Sequence, residues 1–164
     1  LPGDGKVEAL DHVLNKTVGE LKALSKSLNN SRIADFGLHR ELAAEVERLQ
    51  RVNICEIKLE VVGMIKSLPV DQAVILYRIL QEFLNNSLKY ADASRINIML
   101  THREQELQVS IYDNGKGFDM LVTEPGSGIM NIRNRAKLLQ ARGFKYTSSP
   151  YRGTHLSLTL QLPE

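Results

Sequence analysis

Hydrophobic and polar residues recur along this chain with two different periods, and each period predicts one kind of element. In residues 7–28 the apolar positions return every three or four residues, which indicates an amphipathic helix with a narrow, nearly heptad seam. Such a helix cannot bury its seam alone and needs a partner helix. The polar run Asn29-Asn30-Ser31 predicts the end of this helix, and residues 37–51 predict a second one.

Strand and helix patterns alternate through the remainder of the chain. Alternating apolar and polar residues predict five strands, at residues 54–62, 95–101, 106–113, 143–148 and 154–162. A long helix is predicted from residue 70 to about residue 91, and a shorter one over residues 129–142. Short turns join the second strand to the third and the fourth to the fifth, so these pairs form antiparallel hairpins.

This order of elements predicts an α+β fold, an α/β sandwich in which a mixed β-sheet carries helices on one face. One long N-terminal helix precedes it, with a boundary near residues 29–33. Residues 1–5 lack a methionine and are typical of an expression-tag remnant, so they do not enter the fold prediction.

Composition and charge exclude several classes of function. The net charge is +2, with acidic and basic residues interspersed, and aromatic residues make up 5% with no tryptophan. There is therefore neither a polybasic stripe nor a set of stacking side chains, and no nucleic acid partner is expected. Hydrophobic residues make up 43% of the chain, enough for a substantial core.

The single cysteine and the lengths of the apolar runs bear on localisation. Cys55 excludes an internal disulfide and a cysteine-based zinc site, favours a reducing compartment, and is expected to be an inert core residue. No apolar run approaches the roughly 20 residues needed to span a bilayer, and no signal peptide is recognisable. We therefore expect a soluble, cytoplasmic piece, whose parent protein could be membrane-anchored.

A polar line runs along the long predicted helix. Glu82, Asn86 and Lys89 are spaced i, i+4 and i+7 and share a face, and the neighbouring Asn85 adds a second residue that disfavours helix interiors. One explanation is a solvent-exposed face. The other is a site in which a carboxylate accepts a proton, an amide oxygen ligates Mg²⁺ and a lysine meets phosphate.

Two glycine-containing segments follow. Asp113-Asn114-Gly115-Lys116-Gly117 comes directly after a strand, and Gly126-Ser127-Gly128 precedes a helix. The first is compatible with a simple turn and the second with a flexible connection. Alternatively, glycines let the backbone approach a ligand closely, and a helix N-terminus binds anions. Neither segment has the spacing of a Walker loop or of a dinucleotide-binding fingerprint.

Taken together and in this order, these segments resemble the GHKL superfamily of Bergerat-fold ATPases. Residues 76–91 resemble its N box, residues 113–119 its G1 box and residues 126–136 its G2 box, and Gly153-Thr154 resembles its closing Gly-Thr pair. More narrowly, the chain resembles the nitrate-sensor-like subfamily of two-component sensor histidine kinases, over roughly residues 21–163. It implies an ATP-dependent phosphotransferase that transfers the γ-phosphate to a histidine.

The resemblance also implies a role for individual residues. Glu82 would be catalytic and activate the reacting group, Asn86 would ligate Mg²⁺, and Lys89 would approach the phosphates of ATP. Asp113 would accept a hydrogen bond from the adenine amino group. The other ATP-binding positions implied are Tyr90, Gly115, Gly117, Gly126, Gly128 and Thr154.

The chain departs from the family pattern in two places. Tyr90 stands where the subfamily often has histidine. The helix that carries the phosphoacceptor histidine has no match, and His12 lacks the expected sequence context. Residues 1–30 instead resemble the second helix of the dimerisation and phosphotransfer domain, with residues 31–164 as the catalytic domain. The implied partners are the acceptor histidine domain of the parent kinase, a response regulator and a second copy of the full-length protein.

Two other functions stay open from the sequence. The first is a GHKL serine kinase of the anti-sigma-factor type, which would phosphorylate a partner protein. The second is a degenerate nucleotide-binding module that signals by shape without chemistry. The presence of Glu82, Asn86 and Asp113 argues against the second alternative.

Overall fold

A computed structural model describes the backbone of residues 4–52, 54–122 and 126–163, and the side chains of residues 13–21 and of residue 27 onward within these ranges. Its elements, in chain order, are α1 (Asp4–Phe36), α2 (Leu38–Gln50), β1 (Glu56–Val62), α3 (Val70–Lys89), β2 (Arg95–His102), β3 (Glu106–Asp113), α4 (Ser127–Leu138), β4 (Arg142–Ser148) and β5 (Thr154–Gln161).

The five strands form one mixed sheet in the order β1-β2-β3-β5-β4. β1 pairs with β2 in parallel, and the other neighbours are antiparallel. The parallel pair is possible because α3 provides the long crossover between β1 and β2. At the end of β3, Asp113 is paired with Thr154, and Thr154 is paired in turn with Ser148 on β4. The predicted mixed sheet is confirmed.

One face of the sheet is covered and the other is open. Alternate residues of the strands, such as Ile98, Ile111 and Leu156, are fully buried, whereas the intervening residues are mostly polar and are more exposed. Burial of alternate side chains means that they all point to the same side of the sheet. The apolar stripe of α3 packs into this core through residues that include Leu80 and Phe83. The predicted α+β architecture, with helices on one face, is therefore confirmed.

The predicted end of the first helix at Asn29–Ser31 is wrong. α1 continues without interruption to Phe36 and ends at Gly37, whose φ of 80° lies in the left-handed region. Asparagine and serine disfavour helix interiors by less than about 1 kcal/mol each. Burial of Ile33 and a hydrogen bond of 3.4 Å from Arg78 to the Asn30 side chain outweigh that penalty.

The apolar seam predicted for the first helix is exposed in this chain. Its described members are Val13, Leu14, Val18, Leu21 and Leu28, each at least 45% exposed. This agrees with the expectation that the helix cannot bury its seam by itself. Within the described ranges, no helix combines the length and the apolarity needed to cross a membrane.

Two histidines that are far apart in the sequence meet where α2 packs on the sheet. The Nε2 atoms of His39 and His102 lie 2.7 Å apart, and His102 is buried at the end of β2. The contact needs a proton on one nitrogen and a lone pair on the other, so the two rings cannot both be charged. Burial lowers the pKa of His102. Burial is also the larger cause of the lowered pKa of His39, and the nearby His102 ring lowers it further.

The histidine contact predicts a loss of stability on acidification. A pKa below the ordinary 6.5 means that the unfolded chain takes up the proton first. The free energy of unfolding should therefore fall as the pH drops below 6.5. Urea unfolding at about pH 7.5 and about pH 5.5 measures this fall, which should be smaller in His102→Gln. An equal fall in both proteins would contradict this origin.

Candidate functional site

A cavity of about 640 Å³ lies between α3, the inner face of the sheet and the N-terminus of α4. This volume is typical of sites for small ligands. The predicted site residues that line it are Glu82, Asn86, Lys89, Tyr90, Asp113, Gly117, Gly126, Gly128 and Thr154. Three segments that are distant in the sequence thus share one concave surface. Gly115 differs from the other predicted residues, because it is not part of the cavity lining.

The carboxylate of Asp113 is the most tightly held polar group in the cavity wall. Only 1% of the residue is exposed. Its Oδ1 accepts hydrogen bonds from the backbone N–H groups of Gly115 (2.9 Å) and Thr154 (3.3 Å). Its Oδ2 accepts one from the Ser87 hydroxyl at 2.8 Å. An ionised carboxylate has about four acceptor positions, so one remains on Oδ2 for an N–H group of a ligand.

Sequence reasoning did not identify Ser87 as a site residue. It is buried on the apolar side of α3 and also lies 3.1 Å from the carbonyl of Phe83. A hydroxyl has one hydrogen, so it can donate to Asp113 or to that carbonyl but not to both. The sequence did contain a signal for Ser87, because this small hydroxyl residue lies within the apolar stripe of Phe83, Leu84 and Leu88. A polar side chain that is buried in such a stripe requires a hydrogen-bond partner.

Three glycines hold the loop after β3 against neighbouring backbone. Gly117 has a φ of 56°, and a Cβ on it would collide with the Ser149 carbonyl. Gly153 has a φ of 71°, and a Cβ there would collide with the carbonyl of Asp113. Gly115 packs in the same way against Ala91 at the end of α3. These glycines therefore serve close contact between protein segments.

The N-terminus of α4 abuts the polar line of α3. A Cβ on Gly128 would lie 2.5 Å from Oε1 of Glu82 and 3.2 Å from Nδ2 of Asn86. The first N–H groups of a helix lack partners within that helix, and the helix dipole adds partial positive charge there. The site therefore places anion-binding N–H groups beside a carboxylate and an amide.

Two lysines give the cavity positive charge. Lys89 and Lys116 both line it, and Lys116 Nζ lies 4.0 Å from Asp92. That ion pair is largely exposed and therefore weak, so the Lys116 ammonium can turn toward an anionic ligand.

The site also offers hard oxygen ligands of the kind that Mg²⁺ prefers. They are the Asn86 amide oxygen and the neighbouring Glu82 carboxylate. In the described ranges, no three His, Cys, Asp or Glu side chains gather into a metal-binding cluster. A Mg²⁺ ion would accordingly take one or two protein oxygens, with its remaining ligands from phosphate and water.

Aromatic side chains form the apolar part of the wall. Phe83 on α3 meets Tyr146 on β4 edge to face, with ring centroids 6.2 Å apart. Burial, reinforced by the carboxylate of Asp113, raises the pKa of Tyr146 to about 12. Sequence reasoning did not identify Tyr146 either, because its position in a short alternating strand is equally typical of a core residue.

The sequence that forms this cavity is similar to those of known proteins. The profile of the histidine kinase-, DNA gyrase B-, and HSP90-like ATPase family matches residues 71–164. Sensor protein VraS of Staphylococcus saprophyticus is 29% identical over 98% of this chain and 46% of its own length. Sensor histidine kinase MctS of Rhizobium johnstonii is also 29% identical, over 98% of this chain and 34% of its own. The chain thus spans less than half the length of these relatives.

Solved structures share the fold. A blue-light activated histidine kinase from Erythrobacter litoralis superimposes with a TM-score of 0.67 at 19% identity, covering 90% of this chain and 50% of the other. Histidine kinase AdeS of Acinetobacter baumannii superimposes with a TM-score of 0.63 at 12% identity, covering 94% and 84%. Identities this low support a common fold and no more.

The glycine contacts predict unequal effects of two equal substitutions. Gly117→Ala should lower the free energy of unfolding by more than about 1 kcal/mol. It places a Cβ on a residue whose φ is left-handed, and that Cβ collides with the Ser149 carbonyl. Gly126→Ala is the matched control, since Gly126 has a φ of −62° and no atom within 4 Å of a Cβ. It should change stability by no more than about 0.5 kcal/mol. Urea unfolding of both variants measures the difference, and equal values would contradict the described loop.

Proposed function

This chain belongs to the histidine kinase-, DNA gyrase B-, and HSP90-like ATPase family, and on that premise we propose that it is the ATP-binding catalytic domain of a sensor histidine kinase. The observation that carries the proposal is the convergence of three separate segments on one cavity with a single free acceptor on a buried carboxylate. The names of the relatives and the shared fold support the kinase assignment.

The carboxylate of Asp113 selects the base. Its free acceptor position can take one N–H of the adenine amino group. Guanine presents a carbonyl oxygen at the corresponding position, and placing it against a buried carboxylate would leave two acceptors facing each other. A site of this chemistry therefore prefers adenine to guanine nucleotides.

The opposite part of the cavity suits a triphosphate. The N-terminus of α4 supplies backbone N–H groups, and Lys89 and Lys116 supply charge. Asn86 would ligate Mg²⁺ near the phosphates, where the ion neutralises negative charge. Tyr90 lies at the rim, with 67% of its surface exposed, and can cover the ribose or the base.

Glu82 is the residue that we propose for catalysis. It lies in the cavity wall, half-buried, beside Gly128 and the amide of Asn86. A carboxylate there can accept a hydrogen bond from the N–H of an incoming imidazole, which aims the opposite ring nitrogen at the γ-phosphorus. Transfer forms the N–P bond, breaks the P–O bond to ADP, which leaves, and passes the imidazole proton to Glu82; positioning supplies most of the rate enhancement.

The acceptor histidine belongs to another part of the parent protein. We propose that residues 1–30 are the second helix of its dimerisation and phosphotransfer domain, and that residues 31–164 are the catalytic domain. The exposed seam of α1 supports a partner helix there. The same proposal places the parent kinase in the nitrate-sensor-like subfamily and makes the full-length kinase a homodimer. Its final phosphoryl acceptor would be a response regulator, and this part of the kinase would lie in the cytoplasm.

Nucleotide binding tests the base and phosphate contacts. Asp113→Ala should weaken binding of a non-hydrolysable ATP analogue at least tenfold, because a charge-assisted hydrogen bond contributes about 1.5–3 kcal/mol. Asn86→Ala should remove the enhancement of binding by Mg²⁺. Isothermal titration with and without Mg²⁺ measures both effects.

A surface variant provides the control for this titration. Asn97 lies on the open face of the sheet, outside the cavity, so Asn97→Ala should bind as the unaltered chain does. Far-ultraviolet circular dichroism should confirm that Asp113→Ala is folded. Unchanged affinity in folded Asp113→Ala would refute the base contact.

Phosphotransfer tests the enzymatic assignment. The chain, mixed with radiolabelled ATP, Mg²⁺ and a separate histidine-bearing acceptor domain of the parent kinase, should label that domain. Glu82→Gln should bind ATP normally but label at least about a hundredfold more slowly, within the range for loss of an acid–base group.

The stability of the label in acid separates the alternatives. Phosphohistidine is lost in acid, whereas phosphoserine is retained. An acid-stable label would favour the serine kinase, and tight ATP binding without any transfer would favour the degenerate module.

A further inference from the structure

The hydroxyl of Tyr146 is a polar group in the cavity wall that takes no part in the hydrogen bonds around Asp113. The side chain lies in the cavity wall, and only 8% of the residue is exposed. Within the described part of the chain, the hydroxyl makes no hydrogen bond to another group. Its oxygen is not fully buried, so it is open to a partner from outside the protein. A hydroxyl that faces a ligand cavity can acquire its partner from the ligand.

The sheet register places Tyr146 beside the base end of the cavity. Asp113, Thr154 and Ser148 form one row across β3, β5 and β4, and the row two residues further in is Ile111, Leu156 and Tyr146. Residues two apart on a strand point to the same face. Asp113 and Tyr146 therefore face the same side of the sheet from strands that lie about 10 Å apart, which leaves room for a planar ring between them.

The surroundings of Tyr146 favour a base over a phosphate. Phe83 meets its ring edge to face, and Leu156, paired with it in the sheet, is fully buried. The carboxylates of Asp113 and Glu82 act on it electrostatically, together with one cation, Arg133. Burying phosphate charge against this apolar wall and near the Asp113 carboxylate would be unfavourable. A neutral, flat heterocycle meets no such penalty.

We propose that the Tyr146 hydroxyl is a second polar anchor for the purine, donating a hydrogen bond to a ring nitrogen while Asp113 accepts one from the amino group. The inference rests on the proposed function, since it requires that the cavity bind ATP. The pKa of Tyr146, about 12, keeps its phenol protonated at physiological pH, so the hydroxyl is available as a donor. Purine ring nitrogens are acceptors, which makes the pairing complementary. Tyr146 would then be a specificity-determining residue.

Calorimetric binding of ADP to Tyr146→Phe tests the donor directly. The substitution removes one oxygen and keeps the ring that packs on Phe83. We expect ADP to bind about tenfold more weakly, the effect of losing one hydrogen bond. Tyr112→Phe is the matched control, because Tyr112 lies on the open face of β3 outside the cavity, and it should leave the affinity unchanged.

Ligand analogues locate the acceptor and do not depend on the folding of any variant. The 1-deaza, 3-deaza and 7-deaza analogues of ADP each replace one ring nitrogen by carbon. The unaltered chain should bind one of these analogues about tenfold more weakly than ADP. In Tyr146→Phe that difference should disappear, because this variant lacks the hydroxyl that donates a hydrogen bond to the ring nitrogen.

The outcomes distinguish this inference from the function on which it rests. If the unaltered chain binds ADP, and Tyr146→Phe binds it equally well, the anchor is refuted and the nucleotide site stands. The anchor is likewise refuted if the analogues discriminate to the same extent in both proteins. If the unaltered chain binds no adenine nucleotide, the proposed function fails, and the anchor fails with it.

Discussion

The hydrogen bonding of one buried carboxylate underlies both the architecture and the site. Asp113 receives donors from α3 through Ser87, from the loop after β3 through Gly115, and from β5 through Thr154. A charge removed from water needs such partners, because an unpaired buried carboxylate would be strongly unfavourable. The Ser87 bond joins α3 to the sheet, the bonds from Gly115 and Thr154 join the loop and β5 to the end of β3, and one acceptor position stays exposed to the cavity. One side chain therefore both joins these elements and presents an acceptor to the cavity.

Close backbone contacts make this arrangement possible. Thr154 can reach Asp113 because the preceding Gly153 carries no Cβ and takes a left-handed conformation against the Asp113 carbonyl. Gly117 closes the other side of the loop against Ser149 in the same way. At the far end of the cavity, Gly128 brings the N-terminus of α4 next to the polar line of α3. The cavity thus exists because backbone segments approach more closely than side chains would allow.

Polar contacts connect the N-terminal helix α1 to α2 and to α3. Arg32 on α1 pairs with the buried Glu41 of α2 at 2.7 Å, and Arg78 on α3 donates to Asn30. α3 is also the helix that presents Glu82 to the cavity. Displacement of α1 would break these directional contacts, whereas purely apolar packing would let the helices slide. The orientation of α1 is therefore linked to the helix that carries the site.

The sequence by itself determined the order and type of the elements, the mixed sheet and the three segments that line the cavity, because periodicity and turn chemistry are local properties. It failed at residues 29–31, where the burial of Ile33 overrode local propensity. Only the tertiary structure revealed Ser87 as a donor, Tyr146 as part of the wall and the contact between His39 and His102. Each of these depends on groups brought together from distant positions, and no pattern of neighbouring residues encodes which buried polar atoms will face one another.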